Sequence, residues 1–141
     1  MLLKHKTSII TGCNRGIGLR ILETFAQNGA NVFACYRKKN DKIIDNCKNL
    51  SKKFGVKVYP VFFDLRNKEE LKNAFQEISN NSENIDVLVN NAGIIHTSLF
   101  QMTKIESYKE IFEVNFFSYI DFTQKISKLM TRKKNGSIIN I

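Results

Sequence analysis

Short apolar runs rich in β-branched and aromatic residues alternate with longer segments of helical periodicity along the chain. The apolar runs lie at residues 7–11, 31–36, 57–63, 85–89 and 137–141. Nearly continuous apolar strands that alternate with helices are typical of a parallel sheet covered on both faces. Right-handed crossovers then predict a doubly wound, Rossmann-like α/β fold with five mostly parallel strands in a single domain, residues 1–141.

Helices are predicted between these runs, at residues 16–29, in the polar segment after the second run, at 68–79 and at 107–132. Each of them places apolar residues three or four positions apart, which indicates one buried face. The third apolar run contains Pro60. Because proline cannot donate a hydrogen bond to a central ladder, we expect this strand at an edge of the sheet.

The composition limits the kinds of partner that the chain is expected to have. The formal net charge is +9, but the lysines are scattered among acidic and amide residues, which favours a solvated surface over a nucleic-acid interface. The three cysteines show no metal-ligand spacing, so reduced thiols and no metal site are expected. No apolar run approaches the ~18 residues needed to span a bilayer. We therefore expect a cytoplasmic protein with neither a membrane nor a nucleic-acid partner.

The glycine-rich sequence TGCNRGIG, residues 11–18, lies between the first strand and the first helix. In a doubly wound sheet this is where the ligand binds. Gly12 lets the chain turn out of the strand, while Gly16 and Gly18 let backbone approach a bound group closely. The following helix directs unpaired N–H groups and its positive dipole end to the same place, which suits a phosphate. A turn that merely needs glycine is the alternative interpretation.

Positive charge at the end of the second strand separates the candidate cofactors. A carboxylate there would bind the ribose 2′-hydroxyl of NAD(H), but this chain has Arg37 followed by two lysines. Arg15 lies within the glycine turn, where a cation is unfavourable unless it meets an anion. Both arginines therefore favour NADP(H), with NAD(H) as the less favoured cofactor and a solvated helix start as the alternative for residues 37–39.

The sequence VLVNNAG, residues 87–93, leads the fourth strand into two asparagines, an alanine and a glycine. Together with the glycine turn it resembles the short-chain dehydrogenase/reductase family, and most closely the branch of 3-oxoacyl-(acyl carrier protein) reductases. The resemblance implies an oxidoreductase that transfers hydride between a nicotinamide and a carbonyl or alcohol, such as a 3-oxoacyl thioester. It also implies a homo-oligomeric parent protein. A non-catalytic NADP(H)-binding module or regulator, and a basic nucleic-acid binder, are the alternatives from other classes.

The resemblance also implies a role for individual residues. Asp64 and Leu65 would bracket the adenine, Arg37 would meet the 2′-phosphate, and Asn90 would brace the strands. The residues that would frame the phosphates and line the adenosine ribose are Gly12, Asn14, Arg15, Gly16, Ile17, Gly18, Asn91, Ala92 and Gly93.

Asn115 interrupts a predicted apolar stripe of the long helix, formed by Tyr108, Ile111, Tyr119, Phe122 and Ile126. A buried amide without a partner costs ~1–3 kcal/mol, so this side chain is expected to make a hydrogen bond. A local bond to helix backbone is one interpretation. The resemblance implies the other, in which this catalytic asparagine holds a water of the proton relay to a lysine, and we adopt it.

The catalytic serine and Tyr-x-x-x-Lys of the family would follow the fifth strand, and they do not occur in this chain. None of its four tyrosines has a lysine four positions later. The sequence therefore predicts a C-terminally truncated reductase whose isolated chain is inactive. Its final run, SIINI, would form an exposed apolar sheet edge, so poor solubility is expected as well.

Overall fold

A computed structural model describes every residue of the chain, 1–141. Its strands are β1 (Thr7–Thr11), β2 (Asn31–Tyr36), β3 (Val58–Phe62), β4 (Val87–Asn90) and β5 (Ser137–Asn140). They form one parallel sheet in the order β3-β2-β1-β4-β5. The sheet grows in one direction from β1 to β3 and in the other from β4 to β5, which is the order of a Rossmann-like sheet. The predicted fold class is confirmed.

The helices are α1 (Gly16–Gln27), α2 (Asp41–Phe54), α3 (Lys68–Asn81), α4 (Ile105–Phe112) and α5 (Ser118–Arg132). A single 3-10 turn, Phe100–Met102, precedes α4, and a π-helical segment, Glu113–Phe117, joins α4 to α5 without a break. The predicted long helix is therefore present and begins at Ile105, but its π segment was not predicted. None of the helices combines the length and the apolar character that crossing a membrane requires.

Helices cover both faces of the sheet, and each face has its own core. Helices α1 and α2 bury Leu22, Ala26, Ile43, Cys47 and Leu50 against one face. Helices α3 and α5 bury Leu71, Ala74, Ile78, Phe122 and Ile126 against the other. In β1 the adjacent residues Ile9 and Ile10 belong to opposite cores and are both fully buried. Because a central strand is buried on both sides, it appears in the sequence as a continuous apolar run.

Asparagine side chains begin two of the crossover helices. The Asn40 side chain accepts a hydrogen bond from the Ile43 N–H at the start of α2. The Asn67 side chain accepts from the N–H groups of Glu69 and Glu70 at the start of α3. Such caps satisfy backbone donors that have no partner inside the helix, and each stabilises a helix by ~1 kcal/mol.

The two edges of the sheet differ in their side chains. Strand β3 forms one edge, and Pro60 pairs only with Ala34 of β2, so the edge position predicted from the proline is confirmed. Strand β5 forms the other edge, and all of its residues are exposed. The expected apolar edge is therefore present, since Ile138 and Ile139 are 43% and 44% exposed.

Candidate functional site

A cleft of about 670 Å³ lies at the carboxyl ends of β1, β2, β3 and β4. This is the point at which the order of the parallel strands reverses, and ligands of doubly wound proteins bind there. The volume lies within the ~300–1,000 Å³ that is usual for small-molecule and cofactor sites. The structure places all of the predicted cofactor residues except Asn90 in its lining, namely Gly12, Asn14, Arg15, Gly16, Ile17, Gly18, Arg37, Asp64, Leu65, Asn91, Ala92 and Gly93.

The glycine turn is held in place by the neighbouring strands. The N–H groups of Gly12 and Cys13 donate to the Cys35 carbonyl, at 3.1 and 3.2 Å, at the end of β2. The Asn91 amide donates to the carbonyls of Thr11 and Gly12, at 3.0 and 3.3 Å, from beyond β4. The turn therefore has little freedom to move before a ligand arrives.

Helix α1 begins in the cleft with its backbone donors unused. The N–H groups of Gly16, Ile17 and Gly18 make no hydrogen bond in the structure. Unlike α2 and α3, α1 has neither a capping side chain nor an acidic residue in its first turn. A Cβ at Gly16, whose φ is +58°, would meet no atom within 4 Å. The start of α1 is therefore an open, positively polarised cradle that fits a phosphate.

Two of the arginines that line the cleft carry an unpaired charge. Arg15 and Arg37 are both exposed and make neither a salt bridge nor a side-chain hydrogen bond. By contrast, Arg20 and Arg66 are paired with carboxylates. Arg37 follows β2 directly, beside the Cys35 carbonyl that holds the glycine turn. Two free guanidinium groups in one cleft fit a dianionic group such as a phosphate monoester.

Asp64 is held by an arginine that sequence reasoning missed. Arg66 donates from Nε to Oδ1 at 3.0 Å, from Nη2 to Oδ2 at 2.6 Å and from its backbone N–H to Oδ1 at 2.9 Å. These bonds hold the pKa of Asp64 below its usual range. The stabilisation from this pair is thus present above the ordinary carboxyl pKa and is lost as the pH falls through the lowered pKa.

Arg66 also donates from Nη1 to Glu110 of α4, at 2.8 Å. The spacing of Asp64 and Arg66, two residues apart, is a signal for a local side-chain bond and could have identified the first contact. No sequence signal could have identified the second, because Glu110 lies 44 residues away.

Asn90, the last residue of β4, and Asn91, which follows the strand, have different roles in the structure. Thr11 Oγ1 accepts from the N–H groups of Asn91 and Ala92, at 2.9 and 3.0 Å, which joins the end of β4 to the glycine turn. The Asn90 side chain is buried away from the cleft and donates to Thr123 of α5 and to Asn140 of β5, both at 2.9 Å. Asn90 therefore links β4 to β5 and α5. Thr11, whose hydroxyl joins the end of β4 to the glycine turn, is a structural residue that was not predicted from the sequence.

The cysteines are free and buried. Cys13 lies beneath the glycine turn, where its thiol donates to the Ile10 carbonyl at 3.1 Å. Burial raises the pKa of Cys13, so the thiol stays protonated and unreactive at neutral pH. No group of three or more His, Cys, Asp or Glu side chains is placed to hold a metal ion.

Asn115 differs from its prediction, since its side chain is exposed and not buried in an apolar stripe. The buried stripe passes instead through Val114, Ser118, Phe122 and Ile126. The reason is the π segment, whose wider turn moves the buried face by one residue.

The Asn115 amide contacts a loop and not its own helix. Its Oδ1 accepts from the Ile94 N–H at 2.9 Å, and its Nδ2 donates to the Ile94 carbonyl at 2.8 Å. The interpretation of Asn115 as bonded to the backbone of its own helix is therefore wrong as well. Because Ile94 lines the cleft, Asn115 fixes one wall of it.

Replacing Asn115 by alanine is expected to loosen this wall. The variant loses both bonds to Ile94, and since the pair is solvent-exposed we expect a loss of ~1 kcal/mol in the free energy of unfolding. Hydrogen exchange of the Ile94 amide should accelerate in parallel. Asn49→Ala, on the exposed side of α2 and without a side-chain hydrogen bond, is the control. Unchanged exchange at Ile94 would contradict the assignment.

Comparison with known proteins gives one family. The family model described as short chain dehydrogenase matches residues 6–141. The 3-oxoacyl-(acyl-carrier-protein) reductase FabG of Aquifex aeolicus is 34% identical over 139 residues, which cover 99% of this chain and 56% of the relative. The corresponding reductase of Thermotoga maritima is 32% identical over 141 residues, covering 100% and 56%. The family expected from the motifs is confirmed, and these relatives carry the name of the branch that the chain was expected to resemble.

A solved reductase structure has the same fold as this chain. L-sorbose reductase from Gluconobacter frateurii, in complex with NADPH and L-sorbose, matches with a TM-score of 0.91 and 28% identity. The match covers 98% of this chain and 52% of that one. The chain thus spans about half the length of the curated relatives it matches.

Proposed function

The chain belongs to the short-chain dehydrogenase family, and we propose that it forms the coenzyme-binding part of an NADP(H)-dependent oxidoreductase. The observation that carries the proposal is the meeting, in one cleft, of an uncapped helix start and two unpaired arginines. The NADPH complex of the similar sorbose reductase supports it. The bound coenzyme would supply the hydride for reduction of a carbonyl, or accept one from an alcohol.

Each part of the cleft would hold one part of the coenzyme. The unused N–H groups at the start of α1, with Gly12, Asn14 and Ile17 beside them, would hold the pyrophosphate. Arg15 and Arg37 would bind the 2′-phosphate, whose charge they match. Asp64 and Leu65 would receive the adenine, and residues 91–93 would line the adenosine ribose.

Asn115 is proposed to hold a water of the proton relay. Each of its two polar atoms makes one bond to Ile94 in the structure. An amide oxygen has a second lone pair and an amide nitrogen a second hydrogen, so both atoms retain the capacity to hold a water. The bonds to Ile94 would fix the directions of the remaining lone pair and the remaining hydrogen.

The substrate and setting are proposed from the relatives. Two of them are named as 3-oxoacyl-(acyl-carrier-protein) reductases, which supports a small-molecule or acyl-thioester carbonyl substrate. Free, buried cysteines support a cytoplasmic location, where thiols stay reduced. A homo-oligomeric parent protein is proposed on the family resemblance.

The 141-residue chain is expected to bind NADPH without reducing a carbonyl. Hydride transfer to a carbonyl leaves an alkoxide that needs a proton from a positioned acid, and no Tyr-x-x-x-Lys occurs in the chain. Nicotinamide fluorescence would report binding, and loss of NADPH absorbance with an acetoacetyl thioester would report turnover. We expect saturable binding and no turnover above the protein-free control. Turnover would contradict the proposed incompleteness, and absence of binding would contradict the coenzyme role.

A non-catalytic NADP(H)-binding module is the second candidate, because the uncapped start of α1 and the two unpaired arginines would bind the coenzyme with or without a catalytic acid. Coding DNA beyond residue 141 separates the two candidates. A serine followed by Tyr-x-x-x-Lys in a continuous reading frame would favour the reductase. A different continuation that leaves a folded, NADP(H)-binding protein would favour the module.

A further inference from the structure

We propose that Arg66 is a positioning residue for adenine recognition: it orients the Asp64 carboxylate toward the purine 6-amino group and keeps Asp64 away from Arg37. The inference rests on the proposed NADP(H) function and deepens it. It adds to the cleft a residue whose role depends on two carboxylates from different parts of the chain.

The contacts leave Asp64 one free acceptor position. A carboxylate offers about four lone-pair positions. The Arg66 backbone N–H and Nε occupy Oδ1 at 2.9 and 3.0 Å, and Nη2 occupies one position of Oδ2 at 2.6 Å. Nε lies farther from Oδ2, at 3.2 Å, and shares its hydrogen with the closer Oδ1. One lone pair of Oδ2 is therefore available to an amino group in the cleft.

Arg66 also protects the charge of Arg37. Both side chains line the cleft, and the Arg37 charge is close enough to lower the pKa of Asp64 in addition to the larger effect of Arg66. A carboxylate without Arg66 would attract the free guanidinium of Arg37, which the 2′-phosphate needs. With Arg66 in place, Asp64 already has a bidentate partner, so Arg37 keeps its charge available.

Glu110 holds Arg66 in the orientation that this role requires. It accepts from Nη1 at 2.8 Å and leaves Nε and Nη2 for Asp64. A planar guanidinium can serve two carboxylates at fixed angles, whereas the point charge of a lysine cannot. A second contact ties the adenine end to the long helix, since Ser118 Oγ lies 2.7 Å from the Leu65 carbonyl oxygen and shares its one hydroxyl hydrogen between that oxygen and the Glu113 carbonyl oxygen, also at 2.7 Å. The adenine end of the cleft is thus anchored to α4 and α5.

The test compares two coenzymes that differ only at the purine. Dissociation constants are measured for NADPH and for nicotinamide hypoxanthine dinucleotide phosphate (reduced), which has a carbonyl oxygen in place of the 6-amino group. The unsubstituted chain should prefer NADPH by ~10-fold, the value of one hydrogen bond to a charged acceptor. In Arg66→Gln the preference should fall to less than ~3-fold, through weaker NADPH binding, and Glu110→Gln should lower it by a smaller factor.

Arg20→Gln is the matched control, because it removes a paired, exposed arginine from α1 and should leave the preference unchanged. An unchanged preference in Arg66→Gln, whether or not both coenzymes bind more weakly, would overturn the role of Arg66 in adenine recognition and leave the proposed function intact. If neither coenzyme binds the unsubstituted chain, both proposals fail. Should Arg66→Gln not fold, Arg66→Lys and Glu110→Gln decide, and an unchanged preference in both overturns the inference.

Discussion

Gly18→Ala is expected to destabilise the chain by at least ~3 kcal/mol, the upper end of what an overpacked site costs. The added Cβ would lie 2.1 Å from the Gly12 carbonyl oxygen and 2.5 Å from Asn91 Nδ2. The first of these is a backbone atom, held where the turn bonds to the ends of β2 and β4, so it cannot rotate away. Helix α1 or the turn must shift, and either movement disturbs the cleft. Urea unfolding followed by circular dichroism measures the loss.

Gly16→Ala is the matched control for this experiment. Its Cβ would meet no atom within 4 Å, but its φ of +58° makes the change cost ~1–2 kcal/mol. We therefore expect a folded Gly16→Ala chain that binds NADPH more weakly, because the new methyl group stands in the phosphate cradle. Equal stability of the two variants would contradict the close approach of α1 to the glycine turn.

Removing both free arginines is expected to abolish the preference for the phosphorylated coenzyme. In the double variant Arg15→Gln, Arg37→Gln, affinity for NADPH should fall by ~100-fold, since each charge-assisted bond contributes about a tenfold factor at a solvent-accessible site. Affinity for NADH should change by less than ~3-fold, because NADH has no 2′-phosphate and so makes none of the contacts that the substitutions remove. Titration calorimetry with each coenzyme measures both constants.

A lysine variant separates local contacts from overall charge. The chain has a net charge of +9, so removal of any cation weakens the attraction of an anion somewhat. Lys39 is exposed and near Arg37 in sequence but does not line the cleft. Lys39→Gln should therefore weaken NADPH and NADH binding alike and by less than ~2-fold. A selective loss of NADPH affinity in Lys39→Gln as large as that of the double arginine variant would contradict the assignment of the 2′-phosphate site.

Most of the fold could be predicted because its cause is local to each segment. The alternation of apolar strands with helices, and the buried face of α2, follow from spacing alone. In α1 the same spacing was only partly right, because Leu22 is buried but Ile17 is 61% exposed. Pro60 predicted an edge strand because proline lacks the backbone N–H that a central strand donates, whichever strands lie beside it. The strand bounds differ by a residue or two, as for β4, which begins at Val87 and ends at Asn90.

The parts that could not be predicted depend on tertiary structure. Asn115 was placed on the wrong face because the π segment before α5 changes the helical phase, and that segment has no spacing of its own in the sequence. The contact of Arg66 with Glu110 joins residues that only the folded chain brings together. The glycine turn was located correctly, but its anchoring through Thr11 and Asn91 depends on strand order. The features set by neighbouring residues could therefore be predicted, and the contacts between residues far apart in the sequence could not.

Calorimetric titration of the unsubstituted chain with NADP⁺ and with NAD⁺ is the most direct test of the coenzyme site. The two coenzymes differ only in the 2′-phosphate, so the difference between their dissociation constants measures whether the cleft binds that group. We expect NADP⁺ to bind ~100-fold more tightly than NAD⁺ at low salt and this difference in affinity to narrow as ionic strength rises, since exposed charges are screened. Equal affinities would contradict the role of Arg15 and Arg37, and binding of neither coenzyme would contradict the coenzyme site itself.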